Sequence, residues 1–183
     1  MEAIFNSFFL VLASEMGDKT QLLALVLASR YRKPWAVMAG ILVATLLNHG
    51  LASYVGVWLA SLVSPQTLNY ILAATFLGFA AWILIPDKDE SFEQTNVYGA
   101  FLSTTIMFFL AEMGDKTQLA TVALGASYSS LTLVTMGTTM GMLVADGVAV
   151  FFGEKLVTRV PMNIIRRIAC AIFVLFGIGI LFR

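Results

Sequence analysis

The chain has 183 residues, 59% of them hydrophobic and 12% charged, and its 11 Lys and Arg balance 11 Asp and Glu. A soluble domain carries about 25% charged residues, so this composition, with a mean hydropathy of +0.87, marks an integral membrane protein. It excludes nucleic-acid binding, which needs a basic surface, and a sizeable soluble catalytic domain, because the longest polar interval is roughly Pro86–Asn96.

A spanning helix needs about 20 mainly apolar residues, and six runs qualify. The first, residues 3–29, carries Glu15, Asp18 and Lys19 in its middle. Its start, Met1-Glu2-Ala3, lacks the positive region of a cleaved signal peptide. The second, 34–63, holds Asn48 and His49, and the third covers 66–85. After a polar stretch comes the fourth, 97–127, with Glu112, Asp115 and Lys116. The fifth, 130–157, contains Asp146 and the small-residue pattern Gly137-x-x-x-Gly141, which suits close helix packing. The sixth, 161–182, bears the single cysteine, Cys170, so an intrachain disulfide is excluded. Pro34, Pro65 and Pro161 fall where helices start and Pro86 where one stops, as proline's missing N–H requires. Trp35, Trp58, Trp82, Tyr31, Tyr70, Tyr98 and Tyr128 lie near run ends, as an interfacial aromatic belt would. Several runs exceed the needed length, which implies tilt, breaks or interfacial extensions.

The sequence repeats itself. Glu15-Met16-Gly17-Asp18-Lys19-Thr20-Gln21-Leu22 recurs without change as Glu112-Met113-Gly114-Asp115-Lys116-Thr117-Gln118-Leu119, at an offset of 97. The same offset pairs Leu27 with Leu124, Tyr31 with Tyr128, Gly40 with Gly137, His49 with Asp146 and Gly56 with Gly153. The expected architecture is therefore an all-α membrane protein of six spanning helices, built as two three-helix units: 1–86, a polar cytoplasmic linker 87–96, and 97–183. Three crossings is an odd number, so the second unit enters from the opposite side. Inverted repeats of this kind characterise secondary transporters.

Ionisable groups inside the membrane are costly and normally face a cavity or a partner. The i,i+3 spacing puts Glu15 and Asp18 on one helix face, with Gln21 three residues on; Glu112, Asp115 and Gln118 do the same. Gly17 and Gly114 sit between the acids, where a helix can break and free carbonyls. Six side-chain oxygens from two facing helices suit a hard divalent cation. The structural alternative is an ion-pair staple, Lys19 lying i+4 from Glu15. Two copies of two acids and one lysine leave a charge of −2, however, which one divalent cation or two protons would neutralise. Asp146 is a candidate further ligand, proton carrier or packing residue, and His49 a proton relay, metal ligand or hydrogen-bonded core histidine. Met16 and Met113 offer thioether sulfur.

A Glu-hydrophobic-Gly-Asp-Lys-Thr motif occurring twice in a six-helix chain resembles the small cation/proton exchanger family of Golgi manganese/calcium transporters and bacterial manganese exporters of the MneA kind. The resemblance covers essentially the whole chain, and both motifs match. It implies that Glu15, Asp18, Glu112 and Asp115 are cation ligands, supported by Thr20, Gln21, Thr117 and Gln118. It further implies manganese first and calcium second, carried as substrate, with no cofactor.

Orientation follows from the basic residues. With both termini outside the cytoplasm, Arg30, Arg32, Lys33, Lys88, Lys155, Arg159, Arg166 and Arg167 all face inward, as the positive-inside rule requires. The expected place is a bacterial inner membrane. Expelling a divalent cation against 100 mV costs about 4.6 kcal/mol, at about 2.3 per charge. No Walker-type phosphate loop is present to supply ATP energy. Metal efflux exchanged for about two protons per cation, counted from the excess charge, is the expected reaction, with Glu15 and Glu112 the favoured proton carriers. An enzyme is not expected; the competing function is a divalent-cation channel or uniporter, since carboxylate rings also select cations in pores. Beyond lipid, cation and protons no partner is implied, and oligomerisation stays open.

Overall fold

The computed structural model describes residues 1–85, 99–153 and 162–182. All regular structure among them is helical: α1 (Glu2–Glu15), α2 (Lys19–Tyr31), α3 (Pro34–Ala60), α4 (Pro65–Trp82), α5 (Ala100–Glu112), α6 (Lys116–Tyr128), α7 (Leu131–Phe152) and α8 (Met162–Leu181). Among the described residues, three helices are long and apolar enough to cross a membrane alone: Pro34–Ala60, Leu131–Phe152 and Asn163–Leu181. Ala100–Glu112 is a shorter apolar helix. Pro34 and Pro65 open α3 and α4, as expected of residues with no N–H to leave unpaired. Pro86, the linker 87–96, Tyr98 and Pro161 lie outside the described residues.

The first and fourth runs are not single helices. Each is two helices separated at the motif, α1 from α2 and α5 from α6. The cause is local. Gly17 and Gly114 take φ of +84° and +81°, a left-handed conformation that glycine adopts without the Cβ penalty. The far ends of the second helices match as well: α2 and α6 both end on a left-handed residue, Arg32 (φ 50°) and Ser129 (φ 47°).

Helix packing also obeys the offset of 97. A Cβ on Gly40 of α3 would lie 2.7 Å from the Phe101 carbonyl oxygen and from Thr104 of α5. A Cβ on Gly137 of α7 would lie 2.5 Å from the Ile4 carbonyl oxygen and 2.9 Å from Ser7 of α1. Ile4 and Phe101, and Ser7 and Thr104, are repeat equivalents. Thus α3 rests on α5 as α7 rests on α1, each backbone-close at a glycine. Gly141 continues the contact against Phe8 and Leu12, so the small-residue pattern on α7 is an interface.

Two buried apolar clusters flank the motifs. One joins Phe76 of α4 to Phe173 of α8 and Leu124 of α6; the other joins Ile41, Phe108, Leu27 and Met142. Phe76 meets Phe176 edge-on at 4.8 Å between centroids. Outward, Leu51, Leu110 and Leu175 are among many large apolar side chains more than half exposed. In water such a surface would aggregate; against hydrocarbon it costs nothing.

Candidate metal centre at the two helix breaks

Each break is held by its own glutamine. Gln21 Oε1 accepts from the Gly17 N–H at 2.9 Å, and Gln118 Oε1 from the Gly114 N–H at 2.7 Å. The second amide group ties the break to the opposite repeat. Gln21 Nε2 donates to the Ala145 carbonyl of α7 at 2.8 Å. Gln118 Nε2 donates to Asn48 Oδ1 of α3 at 3.4 Å. Positions 48 and 145 are repeat equivalents, so one network is drawn twice, once with a side chain and once with a backbone oxygen. Asn48 adds a bond to the Phe109 carbonyl at 3.0 Å, which satisfies one of the carbonyls that the end of α5 leaves without an intrahelical partner.

The break changes where the acids sit. Glu15 and Glu112 are the last residues of α1 and α5, while Asp18 and Asp115 are the N-caps of α2 and α6. The expected shared helix face of Glu15 with Asp18, and the i+4 relation of Lys19 to Glu15, are therefore replaced by a junction of helix ends. Glu15, Glu112 and Asp115, all buried, bring one carboxylate oxygen each within 4.8 Å of one another. Asp18 is half-buried beside Gly17, Lys116 and Arg166, outside that group.

The two glutamates are treated differently. Glu15 accepts Thr20 Oγ1 at 2.8 Å and also Thr117 Oγ1, one hydroxyl from each motif. Neither oxygen of Glu112 has a hydrogen-bond partner among the described residues. Lys19 Nζ reaches across to Asp115 Oδ1 at 3.6 Å. Lys116 Nζ donates to the Ile85 carbonyl at 3.3 Å and lies 5.8 Å from the centre of the Trp82 ring.

Carboxylates this close and this buried repel one another unless a cation or protons join them. Clustered oxygen donors of this type suit a hard divalent ion. The chain matches the family described as "Divalent cation/proton antiporter GDT1" over residues 3–91 and 100–183. It is a GDT1 protein. Among relatives, a Vibrio cholerae protein named "Putative manganese exporter" is 45% identical over 183 residues, covering 100% of this chain and 92% of the relative. A rice GDT1-like protein 3 is 27% identical, covering 97% of this chain and 73% of its own. A Synechocystis GDT1-like protein is 25% identical, covering 97% and 96%. No solved structure matches. The GDT1 match makes this a membrane cation transporter of an antiporter family and not a member of an enzyme class.

The remaining expected residues divide. Asp146 is fully buried on α7, and neither of its oxygens has a hydrogen-bond partner among the described residues. His49, its repeat equivalent on α3, is also fully buried, with neither ring nitrogen hydrogen-bonded among the described residues. Both stand outside the three-carboxylate group. Met113 is 55% exposed. Asn48 is the residue of this site that motif reasoning misses. Its signal is the offset: position 48 faces Gln118 as Ala145 faces Gln21.

Proposed function

We propose that this protein exports a divalent cation, manganese first and calcium second, in exchange for protons, through the buried carboxylates at the paired helix breaks. The carrying observation is the convergence of Glu15, Glu112 and Asp115, each offering an oxygen within 4.8 Å of the others. Asp18 completes the ligand set in this reading. Gln21 and Gln118, whose amide oxygens already receive glycine N–H groups, hold the geometry, and Thr20 and Thr117 orient Glu15. Asp146 and His49 support the site from α7 and α3. The C-terminal carbonyl ends of α1 and α5 add partial negative charge where the cation would sit, as in transporters with discontinuous helices.

The chain then comprises two inverted units, 1–86 and 97–183, joined by the cytoplasmic linker 87–96, with six crossings and both termini outside a bacterial plasma membrane. The repeat-related packing of α3 on α5 and α7 on α1 supports this arrangement. Carboxylates can bind either the metal or protons. Exchanging about two protons per divalent cation moves no net charge, and so avoids the roughly 4.6 kcal/mol that export against 100 mV would otherwise need. Manganese is favoured over magnesium because magnesium surrenders its water reluctantly.

The test is competition flux into vesicles containing the purified protein. Saturable manganese transport, outcompeting magnesium and accompanied by opposite proton movement, is expected. Equal transport of the two metals removes the selectivity claim, and a non-saturating current makes the protein a channel.

A further inference from the structure

Two identical motifs place identical lysines in different surroundings, and the difference has a physical content. Lys19 and Lys116 are each the first residue of a helix, α2 and α6. A cation there opposes the positive end of the helix dipole, so each ammonium needs a partner elsewhere. Lys116 finds the carbonyl of Ile85, just past the end of α4, at 3.3 Å, and the face of Trp82. Helix C-terminal ends and indole faces both suit an ammonium ion. Lys19 finds Asp115 at 3.6 Å, one of the three carboxylates that converge. The ion pair is largely enclosed, the side chains being 15% and 7% exposed, so solvent screens it weakly.

An ammonium is a compact charge on a flexible four-carbon stem that donates and never accepts. On Asp115 it does part of what a metal ion would do there: it neutralises a carboxylate beside two others. It cannot leave with the cargo, because it is tethered. Lys116 shows that the same side chain also reaches a carbonyl at the end of another helix, beside Asp18.

Building on the proposed cation site, we infer that Lys19 is a tethered competitor of the divalent cation at Asp115, which the incoming metal displaces. Lys19 is thereby a positioning residue that sets affinity and release. Release benefits most. A site of several carboxylates binds a divalent ion tightly, and a lysine returning to Asp115 helps to expel it.

The experiment measures manganese binding to the purified full chain by calorimetry, for wild type, Lys19→Met and Lys19→Arg. Lys19→Met is expected to bind manganese roughly tenfold more tightly, about 1.4 kcal/mol, with slower turnover in vesicles. Lys19→Arg is expected to stay near wild type. In parallel, Lys19 of the wild type is labelled with an amine reagent and quantified by mass spectrometry. Saturating manganese is expected to raise its labelling, an effect that a purely structural lysine does not produce. Unchanged or weaker binding in Lys19→Met overturns the inference, as does labelling that manganese leaves unchanged or lowers. If Lys19→Met fails to fold, the wild-type labelling decides. Wild-type protein that binds no divalent cation overturns the site itself, and this inference with it.

Discussion

The two motifs are the same eight residues in two settings, and comparing them separates what the local sequence dictates from what the fold adds. The break itself is duplicated: the glycine at positive φ, the glutamine closing on the glycine N–H, the glutamate ending one helix and the aspartate opening the next. The acids and lysines are partnered differently. Glu15 takes a hydroxyl from each motif while Glu112 takes none among the described residues, and Lys19 pairs with one of the three convergent carboxylates while Lys116 reaches the Ile85 carbonyl and the Trp82 indole. Identical sequence therefore builds the same helix break twice, and the packing of the two halves makes the side chains around each break unequal. For a carrier that alternates between two faces, such inequality is what one conformation of a symmetric molecule requires.

The largest expected effect erases the comparison altogether. Glu15→Gln and Glu112→Gln should each lower manganese transport by roughly a hundredfold or more, since even residues behind a metal ligand cost 10–100-fold. Their stabilities should part company. Glu15→Gln loses a carboxylate that accepts two hydroxyls and should destabilise by about 2 kcal/mol; Glu112→Gln removes a buried charge with no hydrogen bond among the described residues and should be neutral or stabilising. Thermal unfolding in detergent reads both, and equal destabilisation would mean that the two glutamates are equivalent.

Next comes the break itself. Among the described residues nothing lies within 4 Å of a Cβ added at Gly114, so Gly114→Ala tests conformation. It should cost about 1–2 kcal/mol for an L-residue held left-handed, and it should reduce transport by displacing Glu112 relative to Asp115. Full activity in Gly114→Ala would show that the positive φ is dispensable. At Gly137, by contrast, the added methyl meets the Ile4 carbonyl at 2.5 Å. Gly137→Ala should cost about 1–3 kcal/mol by overpacking and lower the unfolding temperature. The smallest effect is expected at Asn48, where Asn48→Ala removes one long bond to Gln118 and one to Phe109. Polar contacts between membrane helices average about 0.6 kcal/mol each, so a loss near 1 kcal/mol and a modest fall in transport are expected. An effect as large as that of Glu112→Gln would place Asn48 among the ligands.

Much of this is legible in the amino-acid sequence. The offset of 97 names the motifs, the glycines where a chain can break, and the pairing of His49 with Asp146. Proline and small-residue patterns locate the starts of α3 and α4 and the glycines of α7 that meet α1. Hydropathy misjudges the first and fourth runs, because it scores side chains and is blind to the φ of one glycine. For the same reason the expected common face of Glu15 and Asp18 dissolves: i,i+3 neighbours share a face only where the helix continues. The inequality of Glu15 and Glu112 is unreadable in principle, since it arises from which helices pack against two identical strings.

The most direct measurement is manganese flux in proteoliposomes with an imposed pH gradient and the membrane potential clamped at zero. A carrier built on carboxylates that hold either metal or protons predicts manganese moving against the proton gradient, at a rate that follows its size and vanishes in Glu112→Gln. Manganese flux indifferent to the pH gradient, or surviving in Glu112→Gln, would contradict it.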